Sequence, residues 1–132
     1  MSNYKIVSVD EIEAIAFGTY KRARAALGMS AFGLQILDLP PNFEQYPEHD
    51  HGKDGQEEVY VVLQGSGEIE IDGERHPLGP ETLVSVQPGT KRKLWPGPDG
   101  LRVVAIGGKA GNAYEPTELS QLGAPDPYAP AA

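Results

Sequence analysis

Between Phe32 and Ile106 short runs of strand-forming residues recur between Gly and Pro turns, and from Gly67 to Asp72 apolar and polar residues alternate, the period of a strand with one covered face. In F-G-L-Q-I-L-D-L, residues 32–39, Phe32, Leu34 and Ile36 share one face and Gly33, Gln35 and Leu37 the other. Pro40-Pro41-Asn42 ends this strand, because proline has no amide to give to a ladder. Residues 43–51 can carry a further strand. The strongest signal is Glu58 to Gln64, with Glu58, Tyr60, Val62 and Gln64 on one face and Val59, Val61 and Leu63 on the other. Both faces are largely apolar, so both are predicted to be covered. A glycine-bounded turn, Gly65-Ser66-Gly67, follows. Ile69 and Ile71 then point inward up to the hairpin signal Asp72-Gly73. Residues 74–78, 83–86, 90–95 and 101–106 read as strands. Pro88-Gly89 and Pro96-Gly97-Pro98-Asp99-Gly100 read as turns between them.

The ends follow other patterns. Ser8 or Asp10 is placed to cap a short helix through Glu11, Glu13 and Ala16, which Gly18 would end. Residues 19–27 suit either a helix stopped by Gly28 or an edge strand, with Lys21, Arg22 and Arg24 facing water. From residue 111 onward prolines and small polar residues replace the alternation, which predicts a loop, a surface wrap or disorder, with Tyr114 and Tyr128 as anchors. The expected organisation is one domain over 1–110 and a Pro-rich tail over 111–132. Many short strands joined by Gly and Pro turns predict an all-β sandwich or small barrel.

Composition narrows the chemistry. The 132 residues contain no cysteine, which removes disulfides, thiolate metal sites and cysteine nucleophiles. A formal charge of -8 repels phosphate backbones and anionic lipid, so neither nucleic acid nor a membrane surface is an expected partner. No apolar run approaches the roughly 20 residues of a membrane-spanning helix, and the N-terminus lacks a secretory pattern. A cytoplasmic location is therefore expected.

The candidate site lies in Y-P-E-H-D-H-G-K-D-G-Q-E-E, residues 46–58. His49 and His51 are two apart and share a face in an extended chain, and Asp54-Gly55 is a hairpin signal. A reversal there brings Glu57 or Glu58 beside both imidazoles. Two histidines and one carboxylate with open positions left over form a facial site for a divalent ion such as Fe, Mn, Zn or Ni. The bland alternative is a pair of solvated histidines at a strand end. His76, between a turn and Pro77, is read as a surface residue.

These segments resemble the cupin superfamily, in particular its small single-domain members. The first cupin motif, H-x-H, then a glutamate, six residues and a glycine, is matched by His49, His51, Glu58 and Gly65, and Gly67, Ile69, Ile71 and Asp72-Gly73 continue it. Gly79, the strand 83–86 and Pro88-Gly89 match the second. The resemblance covers roughly residues 32–107 and implies a jelly-roll barrel holding a metal on His49, His51 and Glu58. Two departures stand out. Six residues separate His51 from Glu58, which is longer than usual, and the second-motif histidine is replaced by Arg92, which has no lone pair to give. Arg92 shares a face with Leu94, whereas Lys91 and Lys93 share the other with Trp95, so Arg92 is read as facing inward. There it could pair with Glu58 or clamp an anionic ligand. Tyr60 is the second candidate for ligand binding, and Gln56 is a further one, with an oxygen that can reach the metal. The resemblance implies either a metal-dependent enzyme, with dioxygenase and isomerase or lyase chemistry as its options, or a non-catalytic small-molecule binding or sensing domain, with or without metal. The apolar row Val59, Val61 and Leu63 predicts a homodimer.

Overall fold

The computed structural model describes residues 3–129. Its strands are β1 (Ala14–Ile15), β2 (Tyr20–Lys21), β3 (Gly33–Leu39), β4 (Glu57–Ile71), β5 (Glu74–Leu78), β6 (Leu83–Val86) and β7 (Arg92–Gly108), and its one α-helix is α1 (Ala23–Leu27). All pairings are antiparallel, in the order β1-β2-β3-β7-β4-β5, with β6 on the free side of β4. The fold is a cupin-type jelly roll, as the strand pattern and the resemblance imply.

β4 and β7 build both layers. The first half of β4 pairs with β6 and with the second half of β7, and its second half pairs with β5 and with the first half of β7. The ladder slips between Gly65 and Gly67, opposite Leu101 and Pro96. Here the two strands cross together from one layer to the other. Gly65 has φ +81, and a Cβ at that position would run into the carbonyl of Gly100. Only glycine allows so close an approach at this backbone angle. The barrel interior is packed by residues such as Leu39, Val62, Ile69, Leu94 and Val103. A smaller cluster of Ile12, Ala23 and Ile36 joins α1 and the N-terminal segment to the outer face of β3.

Several expectations change. Val9–Glu11 makes a single 3-10 turn in place of a helix to Ala16. Ile12 packs into the outer cluster, whereas Ile15 faces a cavity. A helix would put residues three apart on the same face and could not serve both. Residues 19–27 divide between the two readings: Tyr20–Lys21 pair as a strand, Ala23–Leu27 form a helix, and Gly28 caps it at φ 69. Residues 43–51 form no strand. Proline at 47 breaks the run of donors, and the only rung is His49 against Arg92. The turns expected at 65–67 and 96–100 reverse nothing; they are the irregular middles of β4 and β7. Lys21, Arg22 and Arg24 are buried and do not face water as expected; the tail folds back over Arg22, and Arg24 donates to the carbonyl of Met29. His76 is exposed on β5, as expected.

Candidate metal centre

The loop before β4 carries both histidines, and the rim of the barrel fixes its backbone. His49 donates to the carbonyl of Arg92 at 3.0 Å and accepts from the Arg92 amide at 2.9 Å, and the His51 amide donates to Pro88 at 2.6 Å. A turn over 52–55 then delivers the chain to β4, where Glu58 points into the barrel. One ligand atom each from His49, His51 and Glu58 falls within a mutual distance of 4.8 Å. His51 Nε2 lies 3.5 Å and His49 Nε2 3.9 Å from the same oxygen, Glu58 Oε1. The rings stand almost perpendicular, at 87°.

The other ring nitrogens settle which atoms face the centre. His49 Nδ1 is 3.1 Å from the carbonyl of Pro47, and His51 Nδ1 is 3.0 Å from Asp54 Oδ2. Each acceptor holds the proton on Nδ1 and leaves the Nε2 lone pair directed inward, the usual support for a metal-bound imidazole. His51 Nε2 is buried and has no hydrogen-bond partner. This donor set suits a divalent ion with open positions.

Burial pushes the pKa of His49 below its ordinary value. The neighbouring Glu58 carboxylate, with Asp54 behind it, pushes that of His51 up against the effect of burial. Burial also pushes Glu58 up, but His51, the Tyr60 hydroxyl and the Arg92 charge outweigh it, so Glu58 stays ionised below the usual carboxylate range. Tyr60 donates a short hydrogen bond to Glu58 Oε1. Arg92 is fully buried, with Nε 3.9 Å from that same oxygen and no hydrogen-bond partner for Nε, Nη1 or Nη2. The inward reading of Arg92 therefore agrees with the structure.

His49, His51 and Glu58 open onto a cavity of about 390 Å³. Leu37, Phe43, Tyr46 and Ala105 form its barrel side, and Gln56 is also on the wall. Tyr60 and Arg92 lie behind Glu58 and do not reach the wall. Burial raises the pKa of Tyr20 and of Tyr46, so both phenols stay protonated and can donate to a ligand. No lysine or arginine lines the cavity among the described residues.

A small jelly roll with two imidazoles and a carboxylate converging at its mouth is a cupin architecture. The cupin domain family matches residues 35–107, more than half of the sequence, and the chain belongs to that family. A cupin protein from Bacteroides fragilis is 26% identical, with 89% of this chain and 93% of that one covered and a TM-score of 0.66. A sugar phosphate isomerase of the cupin superfamily from Silicibacter pomeroyi shares the fold at 18% identity, covering 86% of this chain and 83% of that one, TM-score 0.66. A protein with a double-stranded β-helix domain from Klebsiella pneumoniae does so at 19% identity, covering 85% and 98%, TM-score 0.65. The sequence has no match among curated proteins.

Asp54 was not among the candidate ligands, and its role as the partner of His51 Nδ1 follows only from the turn geometry. Asp54→Ala is expected to weaken divalent-metal binding on the order of 10–100-fold, the usual effect of losing a residue that orients a metal-bound histidine. Calorimetric titration with Mn(II) checks this, and an unchanged dissociation constant would remove Asp54 from the site.

Proposed function

We propose that His49, His51 and Glu58 bind one divalent metal ion, and that the protein acts on a small, largely apolar organic molecule carrying an anionic oxygen. The observation that carries the reading is the convergence of His49 Nε2, His51 Nε2 and Glu58 Oε1 at the edge of an apolar cavity. The bound ion would supply Lewis acidity, and with a redox-active metal oxygen chemistry, at its open positions. The chain's own residues do the rest. Glu58 remains a carboxylate because Tyr60 donates to it and Arg92 lies beside it. The Arg92 charge also makes the centre more electropositive, which favours an anionic oxygen such as a carboxylate, phenolate or enolate. Arg92 and Tyr60 therefore contribute to ligand binding through Glu58, whereas Gln56 is placed to touch the ligand directly. The apolar walls hold the ligand body and exclude water.

The cavity wall argues against a sugar phosphate, since among the described residues no lysine or arginine on it meets a phosphate. The second reading is a binding or sensing domain without turnover, in which Tyr20 and Tyr46, kept protonated by burial, serve as hydrogen-bond donors to the ligand. Equilibrium dialysis against Fe(II), Mn(II), Zn(II) and Ni(II), followed by elemental analysis, tests the metal. About one ion per chain is expected, and no retained ion of any kind would sink the proposal. Oxygen uptake or isomer formation over a panel of small carboxylates and phenols then separates turnover from binding.

We also propose a homodimer. Leu63 and Leu83 are 43% and 68% exposed, and Leu83 pairs with Val61 on the outer face of β4 and β6, which α1 does not cover. A contiguous apolar face of this kind marks a contact surface. Light scattering at micromolar concentration is expected to give twice the chain mass, and Leu83→Lys to give the chain mass. A monomer for the parent protein would remove the proposal.

A further inference from the structure

The outer wall of the cavity is not made by the barrel. Tyr114, Thr117, Leu119 and Tyr128 of the C-terminal segment form it, together with Ala16 and Phe17 at the tip of the β1–β2 turn. Tyr114 rests on Gly33 of β3 so closely that a Cβ there would lie 2.9 Å from the phenol oxygen. Ala16 and Phe17 hold left-handed backbone angles, φ 54 and 60, and Phe17 is 75% exposed at the mouth.

Hydrogen bonds, more than apolar burial, hold this wall in place. In the segment 113–129 only Ser120 is buried. The fastening is Arg22, whose side chain is 1% exposed. Its Nε donates to the carbonyl of Leu119 at 2.6 Å, Nη2 to that of Ala124 at 2.9 Å, and Nη1 to Glu13 Oε2 at 2.9 Å. The same Glu13 oxygen accepts from the Gly123 amide at 2.9 Å, and Asp126 Oδ2 accepts from the Ala16 amide at 3.1 Å. The guanidinium fork fixes two tail carbonyls at once, which a single ammonium could not do. A segment with few buried apolar groups has little else to set its position.

We propose that the segment 113–129 is the element that sets which ligands the cavity accepts, with Leu119 as the size-limiting side chain and Arg22 as the residue that positions it. The inference rests on the cavity being the ligand site of the proposed function. Leu119 lines the cavity, and it is its backbone carbonyl that accepts from Arg22, so a side-chain substitution there changes the wall and leaves the clasp intact. Ligands with a compact apolar body fit the closed wall, and longer ones require it to recede.

The test uses full-length protein loaded with Mn(II) and two probes, acetohydroxamate as the short one and 4-phenylbenzohydroxamate as the long one, followed by calorimetry. Leu119→Ala is expected to raise the long-to-short affinity ratio on the order of tenfold, and Leu119→Trp to lower it by a similar factor, the scale of adding or removing one apolar group in a pocket. Arg22→Gln is expected to raise the ratio with little change for the short probe, which a general loss of structure would not do. An unchanged ratio in both Leu119 variants overturns the proposal. If neither hydroxamate binds the parent protein, the metal reading has failed, and the wall is tested alone with 8-anilinonaphthalene-1-sulfonate on metal-free protein. Tighter binding to Leu119→Ala than to the parent then supports the wall, and equal or absent binding to both overturns it.

Discussion

Replacing His49 and His51 together by alanine is expected to abolish stoichiometric divalent-metal binding while leaving the barrel folded. The two Nε2 atoms supply two of the three converging donors, and Glu58 alone would be an ordinary carboxylate beside a cation. Three-donor sites of this type depend on the imidazoles for affinity and geometry alike. Neither imidazole is part of the packed interior, which is filled by residues such as Val62, Ile69 and Leu94. The thermal midpoint of the metal-free protein should therefore move little, and the two effects separate. Acidity gives a second handle. The pKa of His51 is raised above its ordinary 6.5 by the Glu58 carboxylate, so a proton competes for Nε2 through and somewhat above that value. Metal affinity is expected to increase as pH rises through that range and to flatten above it. His49, lowered by burial, is deprotonated earlier and limits binding less. Metal content after dialysis at a series of pH values, in the parent and in the double variant, reads both effects. Equal metal content in the two proteins would place the ion elsewhere.

The candidate site was legible because its determinants are local. Two histidines at a spacing of two, a turn signal and a strand starting near Glu58 lie within ten residues, and period-two geometry fixes which way each side chain looks. The orientation of Arg92 was legible for a related reason. Its face-mate Leu94 is buried, while Trp95 on the opposite face lies beneath Lys93 and Arg75 and donates to Glu70, an aromatic ring shielded by cations at the surface. Strand existence was equally readable for β3 to β7 but not for residues 43–51, which form none, and continuity was not readable. Glycines and prolines at 65–67 and 96–100 carry turn chemistry, yet tertiary pairing of β4 with β7 on both sides keeps the two chains together.

What could not be read depends on contacts between distant parts of the chain. Arg22 looks like a solvated cation until the carbonyls of Leu119 and Ala124, about a hundred residues away, come to meet it. The tail has no periodic signal, because it contributes a wall and not a core element. Ile12 and Ile15 resemble one helical face but serve two separate environments. In each case the local pattern is compatible with several outcomes, and long-range packing selects one.

Substituting Arg92 by histidine is expected to strengthen metal binding and weaken the preference for anionic ligands. The arginine is fully buried, its Nε is 3.9 Å from the ligand oxygen of Glu58, and none of its guanidinium nitrogens has a hydrogen-bond partner among the described residues. A buried unpaired guanidinium is costly, and the close Glu58 charge offsets only part of that cost. Beside a bound dication it adds repulsion: at an effective dielectric of about 20 and a separation of roughly 5 Å, each unit of charge on the ion is repelled by ~3 kcal/mol before the Glu58 carboxylate offsets part of it. Removing the charge should therefore raise affinity by on the order of tenfold or more even without a new ligand, since each 1.4 kcal/mol is a factor of ten. A neutral histidine pointing the same way adds a lone pair as a fourth donor. Arg92→Leu isolates the first effect, and the difference between the histidine and leucine variants isolates the second. The hydrogen bond from Tyr60 keeps Glu58 supported in both variants. Anion preference moves oppositely, because the centre loses one unit of positive charge: the affinity ratio of benzoate to neutral benzamide for Mn(II)-loaded protein should fall. Mn(II) titration of the three proteins, followed by competition between the two ligands, decides the matter. If all three proteins share one metal dissociation constant and one ligand ratio, the charge on Arg92 does not act on the metal centre, and its burial needs an explanation in folding alone.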